Sequence, residues 1–392
     1  MTPAARTQAA IEILDQVIAA AREGGAAADT LIARYFATRR YAGSKDRRAV
    51  RELVYAAIRR AGDMPDTGRA ALVGLAREDA AIAATFDGST HGPAPIAGDE
   101  VGSATGVAPS WLIDRLAASG IDADEAAALI DRAPLDLRLN RLRGGGDDLF
   151  VAEGAARVPG APDALRFPSG TAIEQSAAFR EGLVEVQDAG SQMVTLAAHA
   201  APGMAVIDLC AGAGGKSLAL AAAMRNGGMI LATDTDRARL SRLAPRADRA
   251  GATIVETRLL DPEREAPALA DWQDRADVVL VDAPCSGTGT WRRNPEARWR
   301  LTPVRIDRLV AIQRRLLDLA ATLVRPGGAL VYIVCSLLDE EGAGQVDDFL
   351  ARHPDWHADA PIAAGLERGA GRRLTPRHDG TDGFFVARLI RP

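Results

Sequence analysis

MAVIDLCAGAGGKSLALAA, residues 204–222, runs from an apolar strand through a glycine-rich turn into a helix, and its reading decides the fold. Such a turn lets backbone N–H groups approach a ligand at a helix N-terminus. Three ligands compete for it. A phosphate-binding loop of the form GxxxxGK[ST] would require glycine at position 210, where Cys210 stands. A dinucleotide fingerprint starting at Gly212 would need Gly or Ala at position 217, where Ser217 stands. What remains is a strand, a turn and a helix followed by Asp234, at the end of the next strand-like run, ILATDTD. An acid there accepts hydrogen bonds from both hydroxyls of a ribose. A nucleoside without phosphates, such as S-adenosylmethionine, suits this pattern best. A turn with no ligand would leave a row of small and polar residues at a strand end with no packing value.

Outward from that stretch, strands and helices alternate from 185 onward. The runs 205–209, 229–234, 253–256, 277–282, 329–334 and 384–389 read as strands. The clearest helix runs from Ile306 to Val324, with Ile306, Leu309, Val310, Leu316, Leu317 and Leu323 on its buried side. This is the pattern of an α/β protein with a doubly wound, mostly parallel, Rossmann-like sheet, here expected over 185–392. Residues 126–184 are punctuated by Gly and Pro, and LDLRLNRL alternates as a strand does; a small α+β subdomain is expected there. Residues 1–125 read as all-α. Ile11, Leu14, Val17 and Ile18 form one stripe, and Val50, Leu53, Val54, Ala57 and Ile58 form another, with Ser44 as the expected N-cap and Asp46 in the first turn. Residues 86–110, rich in Gly, Pro and Ser, read as a loop or hinge.

A chain of 392 residues, 47% apolar and 25% charged, exceeds one ordinary core and reads as soluble and globular. MTPAARTQAAIEILDQ at the N-terminus is neither a signal peptide nor a membrane span, so a cytoplasmic location with no membrane partner is expected. The three cysteines have no CxxC spacing and the five histidines lie apart from them, which indicates neither a disulfide framework nor a metal site. His353 and His357 share helical spacing, but Pro354 lies between them and a solvated pair is expected. The net charge of −5 argues against coating nucleic acid by bulk electrostatics, while leaving room for a local basic groove. Of 47 basic residues, only Lys45 and Lys216 are lysines, and Lys216 lies inside AGAGGKS. A compact ammonium there does what a planar guanidinium cannot.

Each cysteine ends an apolar, strand-like run: VIDLC at Cys210, VVLVDAPC at Cys285 and LVYIVC at Cys335. In an open α/β sheet those ends form the ligand crevice. Asp282 and Pro284 precede Cys285, and Pro284 stops further ladder bonding and stiffens the loop that presents the thiol. Either cysteine alone would read as a small buried hydrophobe. Two thiols at strand ends beside a cofactor loop read as reactive groups. The chemistry that wants them is methylation of a pyrimidine carbon, because a thiolate adding at C6 of cytosine makes C5 nucleophilic. Arg292, Arg293 and Arg298, interleaved with Trp291 and Trp299, read either as cations and stacking faces for nucleic acid or as an arginine-rich surface loop. Spacing does not rank the two thiols.

VQDAGSQ at 186–192, DLCAGAGGKS, DTDRARLSRL, LVDAPCSGTGTWRRNPE, PGGALVYIVCSLLDEE and DGFFVARLI, in that order, resemble the Sun/RsmB family of RNA (cytosine-5)-methyltransferases. The N-terminal segment, through AGSKDRRAVRELVYAAIRR, resembles the NusB-like RNA-binding domain of bacterial members. The resemblance implies S-adenosylmethionine as cofactor and RNA, above all ribosomal RNA, as substrate. It implies Cys335 as the nucleophile and Cys285 as the thiol that assists release, with Asp282 and Lys216 completing the catalytic set. Cys210, Ala211, Gly212, Ala213, Gly214, Gly215, Lys216, Asp234, Asp261 and Asp282 fall on cofactor-contact positions. The Pro-Cys dipeptide at 284–285 resembles the nucleophile motif of DNA cytosine-5 methyltransferases and would suggest the opposite order. Two positions depart from the family pattern: Ala213 stands where Pro is usual, and Val334 where Thr is usual, which removes a hydroxyl expected near the thiol.

Two other readings remain. In one, the chain is an RNA-binding assembly or transcription factor with a vestigial methyltransferase domain. In the other, the same chemistry acts on tRNA or DNA. A monomer is expected in each case.

Overall fold

The alternation from 185 onward builds a nine-stranded sheet in a computed structural model that describes residues 1–146 and 154–392. Among the described residues the strands are β1 Leu135–Leu139, β2 Ala156–Val158, β3 Ala161–Phe167, β4 Val184–Val186, β5 Ala205–Asp208, β6 Met229–Asp234 and β7 Val255–Leu259. They continue with β8 Ala276–Asp282, β9 Val324–Val334, β10 His357–Asp359, β11 Leu366–Arg368, β12 Gly371–Leu374 and β13 Phe384–Ile390. The large sheet has the order β11-β12-β13-β9-β8-β5-β6-β7, with β10 paired to β13. β5 to β9 are mutually parallel, and β13 runs antiparallel to β9 from Phe385 opposite Val334 to Ile390 opposite Ala329.

These strands read as near-continuous apolar runs because both faces of the sheet are covered. In β8, Val278 and Leu280 enter one core with Val206 and Ile333, while Val279 and Val281 enter the other with Ile207 and Tyr332. The chain leaves β5 toward β6 and β7 and returns on the other side as β8, so the switch in strand order lies between β5 and β8, where such folds open a ligand crevice. The helix Pro303–Leu323 covers one face. Its buried side differs from the expected one: Leu309 and Val310 are only half-buried, and Gln313 is fully buried because its amide is needed below the crevice.

A four-stranded antiparallel sheet, β2-β3-β1-β4, belongs to the same compact unit, which comprises residues 132–289 and 303–392. Leu137 and Leu139 of β1 face a small apolar cluster with Phe167 and Val184. The alternate residues Asp136, Arg138 and Asn140 are buried on the opposite face. Asp136 takes Arg166 at 2.7 Å and the Ala189 N–H at 3.0 Å. Asn140 donates to the Gly182 and Ala250 carbonyls at 2.7 and 2.8 Å.

The other unit comprises residues 1–131 and 290–302. It contains α1 Pro3–Glu23, α2 Ala28–Ala37, α3 Ser44–Arg60 and α4 Gly68–Ala76. Ile11, Leu14, Val17 and Ile18 of α1 and Val50, Val54, Ala57 and Ile58 of α3 share one core. The N-cap of α3 is Gly43 and not Ser44; Asp46 accepts from the Gly43 N–H at 3.2 Å and stabilises the helix start from its third position.

Residues 290–302 correct the reading of the Arg/Trp segment as stacking faces. Trp291, Trp299, Arg292 and Arg298 are buried. Arg298 donates to the carbonyls of Pro295, Ile58 (2.6 Å) and Ala61 (2.8 Å), and Trp299 Nε1 also donates to Ala61. Glu296 accepts from the Ala28 N–H at 2.9 Å, capping the orphan donors of α2. Buried and bonded to these carbonyls, the Arg298 guanidinium holds helix ends together and is not presented to a ligand, and burial pushes its pKa down to about 9. Arg298→Ala is expected to lower stability by about 3 kcal/mol, because several buried carbonyls lose their donor. Urea unfolding checks this, and an unchanged midpoint would count against the role.

Candidate active site

The carboxyl ends of the five parallel strands carry the expected residues side by side: Cys210 after β5, Asp234 at the end of β6, Asp261 after β7, Asp282 and Cys285 at and after β8, and Cys335 after β9. The glycine turn passes over β5 in a shape that needs glycine. Gly212 has φ 56° and Gly214 φ 82°, and a side chain on Gly214 would run into Leu243. Gly214 caps the helix Gly215–Ala223. Asp234 fixes the turn, its two oxygens accepting from the Gly212 and Asp236 N–H groups, each at 2.7 Å. Arg246 donates to the Ala213 carbonyl at 2.6 Å, so the loop is braced from outside at the position where proline would stiffen it from within.

Lys216, in the first turn of that helix, is buried and its Nζ lies 2.6 Å from Asp282 Oδ2. Burial works to lower the Lys216 pKa, but the Asp282 carboxylate outweighs it and the net direction is up. The ammonium also interacts favourably with the Cys335 sulfur. Asp208, at the end of β5, is fully buried, and burial pushes its pKa up to about 7 against a 2.6 Å hydrogen bond from Ser217.

The Cys285 and Cys335 sulfurs are 3.3 Å apart. The contact with Cys335 and burial both push the Cys285 thiol pKa up. Cys210 is pushed up by burial and by Asp208, Asp234 and Asp282, which keeps it an inert thiol. Val334 is buried in the apolar core that Cys285 also packs against, whereas Cys335 packs toward the other face of the sheet.

Sequence reasoning missed the group that joins the two thiol loops. Glu341, fully buried, accepts from the Ser286 N–H (2.8 Å), the Ser286 hydroxyl, the Ser336 hydroxyl (2.6 Å) and Gln313 Nε2 (3.0 Å). Ser286 follows Cys285 and Ser336 follows Cys335, so one carboxylate holds both cysteines in place. Gln313 also donates to the Pro284 carbonyl at 2.9 Å. The sequence signal is the run of three acids in SLLDEE, which looks like an ordinary solvated turn. His353 stacks on Phe349 while His357 starts β10, and among the described residues no group of three or more acids, histidines and cysteines could hold a metal. No described helix is long and apolar enough to cross a membrane.

The family description 16S rRNA methyltransferase RsmB/F matches residues 194–390. Ribosomal RNA small subunit methyltransferase B of Xylella fastidiosa (strain 9a5c) is 39% identical over 294 residues, covering 72% of this chain and 68% of that protein. The chain belongs to the RsmB/F methyltransferase family. Probable ribosomal RNA small subunit methyltransferase B of a Synechocystis species is 34% identical over 299 residues, 72% of this chain and 66% of that protein. The match therefore spans about two thirds of these relatives' own length. A methyltransferase homolog protein from Pyrococcus horikoshii, solved by crystallography, is 27% identical with a TM-score of 0.61, covering 72% of this chain and 99% of that one. The crystal structure of PH0851 shares the fold, with a TM-score of 0.78 over 98% of both chains at 24% identity.

Two outcomes follow for this RsmB/F site. Glu341→Ala leaves Gln313, Ser286 and Ser336 without their acceptor and is expected to cost about 3 kcal/mol, measured by denaturant unfolding. The native state of Asp208 holds its proton above the unfolded pKa. Its stabilising contribution is complete below roughly pH 4 and is lost as pH rises through about 7. Asp208→Asn should therefore raise Tm relative to wild type more at pH 8.5 than at pH 5.5. An equal difference at both pH values would contradict the buried, proton-holding role.

Proposed function

We propose that this chain transfers a methyl group from S-adenosylmethionine to C5 of a cytosine in RNA, with ribosomal RNA as the substrate. The observation that carries the reading is the pair of thiols 3.3 Å apart at the ends of two adjacent parallel strands, beside the Lys216–Asp282 pair. Relatives named ribosomal RNA small subunit methyltransferase B support the choice of RNA.

The crevice residues fit the cofactor. Asp234 spends one backbone hydrogen bond on each oxygen and keeps further acceptor capacity for two ribose hydroxyls. The left-handed glycines present backbone without side chains to the ligand. When bound, S-adenosylmethionine supplies an electrophilic methyl group for C5. Residues 210–216, Asp234, Asp261 and Asp282 would hold it.

Cys335 attacks. Its sulfur forms a bond to C6 of the cytosine, and the C5–C6 π pair shifts so that C5 becomes the nucleophile. The Cys285 sulfur lies 3.3 Å from the attacking one, within reach to exchange a hydrogen bond with it. Once C5 is substituted, its proton leaves to a base, the C–H pair restores the C5–C6 double bond, and the S–C6 bond breaks. Cys285 stabilises the departing thiolate by donating to it. For the RNA itself, exposed Lys45, Arg48 and Arg51 on α3 remain available as cations, in contrast to the buried Arg298.

Cys335→Ala is expected to reduce methyl transfer to RNA by about 10³-fold or more, in line with loss of a covalent nucleophile. Cys285→Ala should instead accumulate a covalent RNA–protein complex, seen as a slow band on a denaturing gel when cofactor is supplied. Full methyl transfer by Cys335→Ala would reassign the nucleophile. A Cys285→Ala protein that turns over without adduct would remove the release role.

A further inference from the structure

Apart from the crevice, within the unit of residues 132–289 and 303–392, lies a cavity of about 660 Å³. It is lined from the small sheet, the helix Ala189–Thr195 and the helix Gly215–Ala223. Its volume falls in the range of small-molecule sites, roughly 300–1,000 Å³. Much of the wall is apolar, with Leu142, Ala161, Leu196, Ala200 and Leu220 among the lining residues. Neither the proposed reaction nor the cofactor residues use it.

Arg138 also lines this space. On the inward polar face of β1 its neighbours Asp136 and Asn140 are hydrogen-bonded, as described above. Arg138 is only 5% exposed, yet its Nε has no hydrogen-bond partner among the described residues. The carboxylate directly across the strand pair, Glu185, is engaged by Arg246 at 2.9 Å and by Arg249. Arg138, Arg246 and Arg249 thus surround a single carboxylate. Asp163, the acid on the cavity wall, is bonded to Arg141 at 2.7 Å. Arg225 adds a further cation to the wall. Burial lowers the Arg138 pKa to about 10, which still leaves it charged at neutral pH. A buried guanidinium with an unmet N–H carries a desolvation penalty that an oxyanion would relieve. Two other lining residues, His199 and Arg225, hold left-handed backbone at φ 46° and 52°, a conformation rare for such side chains and concentrated at ligand sites.

We infer that this cavity is a second ligand site that binds an organic monocarboxylate, its head group on Arg138 and its apolar body against the Leu and Ala wall. The site is independent of the cofactor crevice, and the inference holds whether or not the proposed RNA chemistry is correct.

Isothermal titration calorimetry on the full chain tests it, with octanoate as the probe. Octan-1-ol supplies the body without the charge, and acetate and inorganic phosphate supply charge without the body. Octanoate should bind one-to-one and at least about tenfold more tightly than any of the three, and should do so equally with saturating S-adenosylmethionine present. Arg138→Gln should weaken octanoate by about tenfold or more. Ala219→Leu, which adds volume at the wall and leaves Arg138 in place, should do the same and serves as the deciding variant if Arg138→Gln does not fold. The inference is overturned by no octanoate binding up to about 10 mM, by acetate or phosphate binding as tightly as octanoate, by displacement of octanoate by S-adenosylmethionine, or by wild-type affinity in Ala219→Leu.

Discussion

The geometry of the paired thiols rests on one buried carboxylate. The two loops that carry the thiols are tied to each other directly, the Gly289 N–H donating to the Cys335 carbonyl at 3.0 Å and the Leu337 N–H to the Thr288 hydroxyl at 2.8 Å. Glu341 adds a buried clamp beneath them: its oxygens accept from the residue after each cysteine and from Gln313, so a hydrogen-bonded core backs the contact between the loops. A carboxylate suits this place because every group facing it is a donor, and an amide would turn its own N–H groups toward some of them. The Tyr332 hydroxyl, donating to the Glu341 carbonyl at 2.6 Å, fixes the acid's backbone in turn.

Around that clamp the parallel sheet does what its topology allows. Strand order places β8 beside both β5 and β9, which puts the glycine turn on one side of Asp282 and Cys335 on the other. Lys216 bridges the two sides: it starts in the helix after the turn and reaches Asp282. An arginine would present a larger planar fork in a space closed by Asp282 and the Phe384 ring, which lies 5.6 Å from Nζ. The retention of lysine at 216, in a chain whose one other lysine is Lys45, has a local steric reason.

Much of this was legible in the sequence because strands buried on both faces are written as unbroken apolar runs, and their ends can be counted off. β5, β6, β8, β9 and β13 lie within a few residues of the runs read for them. β7 was read too early, at 253–256, since VETRL is a partly exposed edge strand with little apolar signal. The buried side of the helix Pro303–Leu323 was misjudged at Leu309, Val310 and Gln313 because periodicity cannot say that a polar amide is worth more in the core than a leucine. The Arg/Trp segment failed for a related reason: guanidinium and indole groups serve equally as RNA contacts and as donors to helix-end carbonyls, and only Ile58 and Ala61, far away in sequence, reveal the second use. Glu341 and Arg138 were invisible for the same cause. Their meaning lies in what surrounds them, and a local pattern holds no trace of that.

The central claim is that the two neighbouring thiols are unequal, with Cys335 the proposed attacking sulfur and Cys285 the thiol whose pKa burial and its neighbour raise. Peptide-mapped alkylation of the native protein by iodoacetamide, followed against pH, tests it directly. Cys335 should be modified first, Cys285 only at higher pH, and Cys210 last. Equal rates for Cys285 and Cys335, or modification of Cys285 first, would contradict the account.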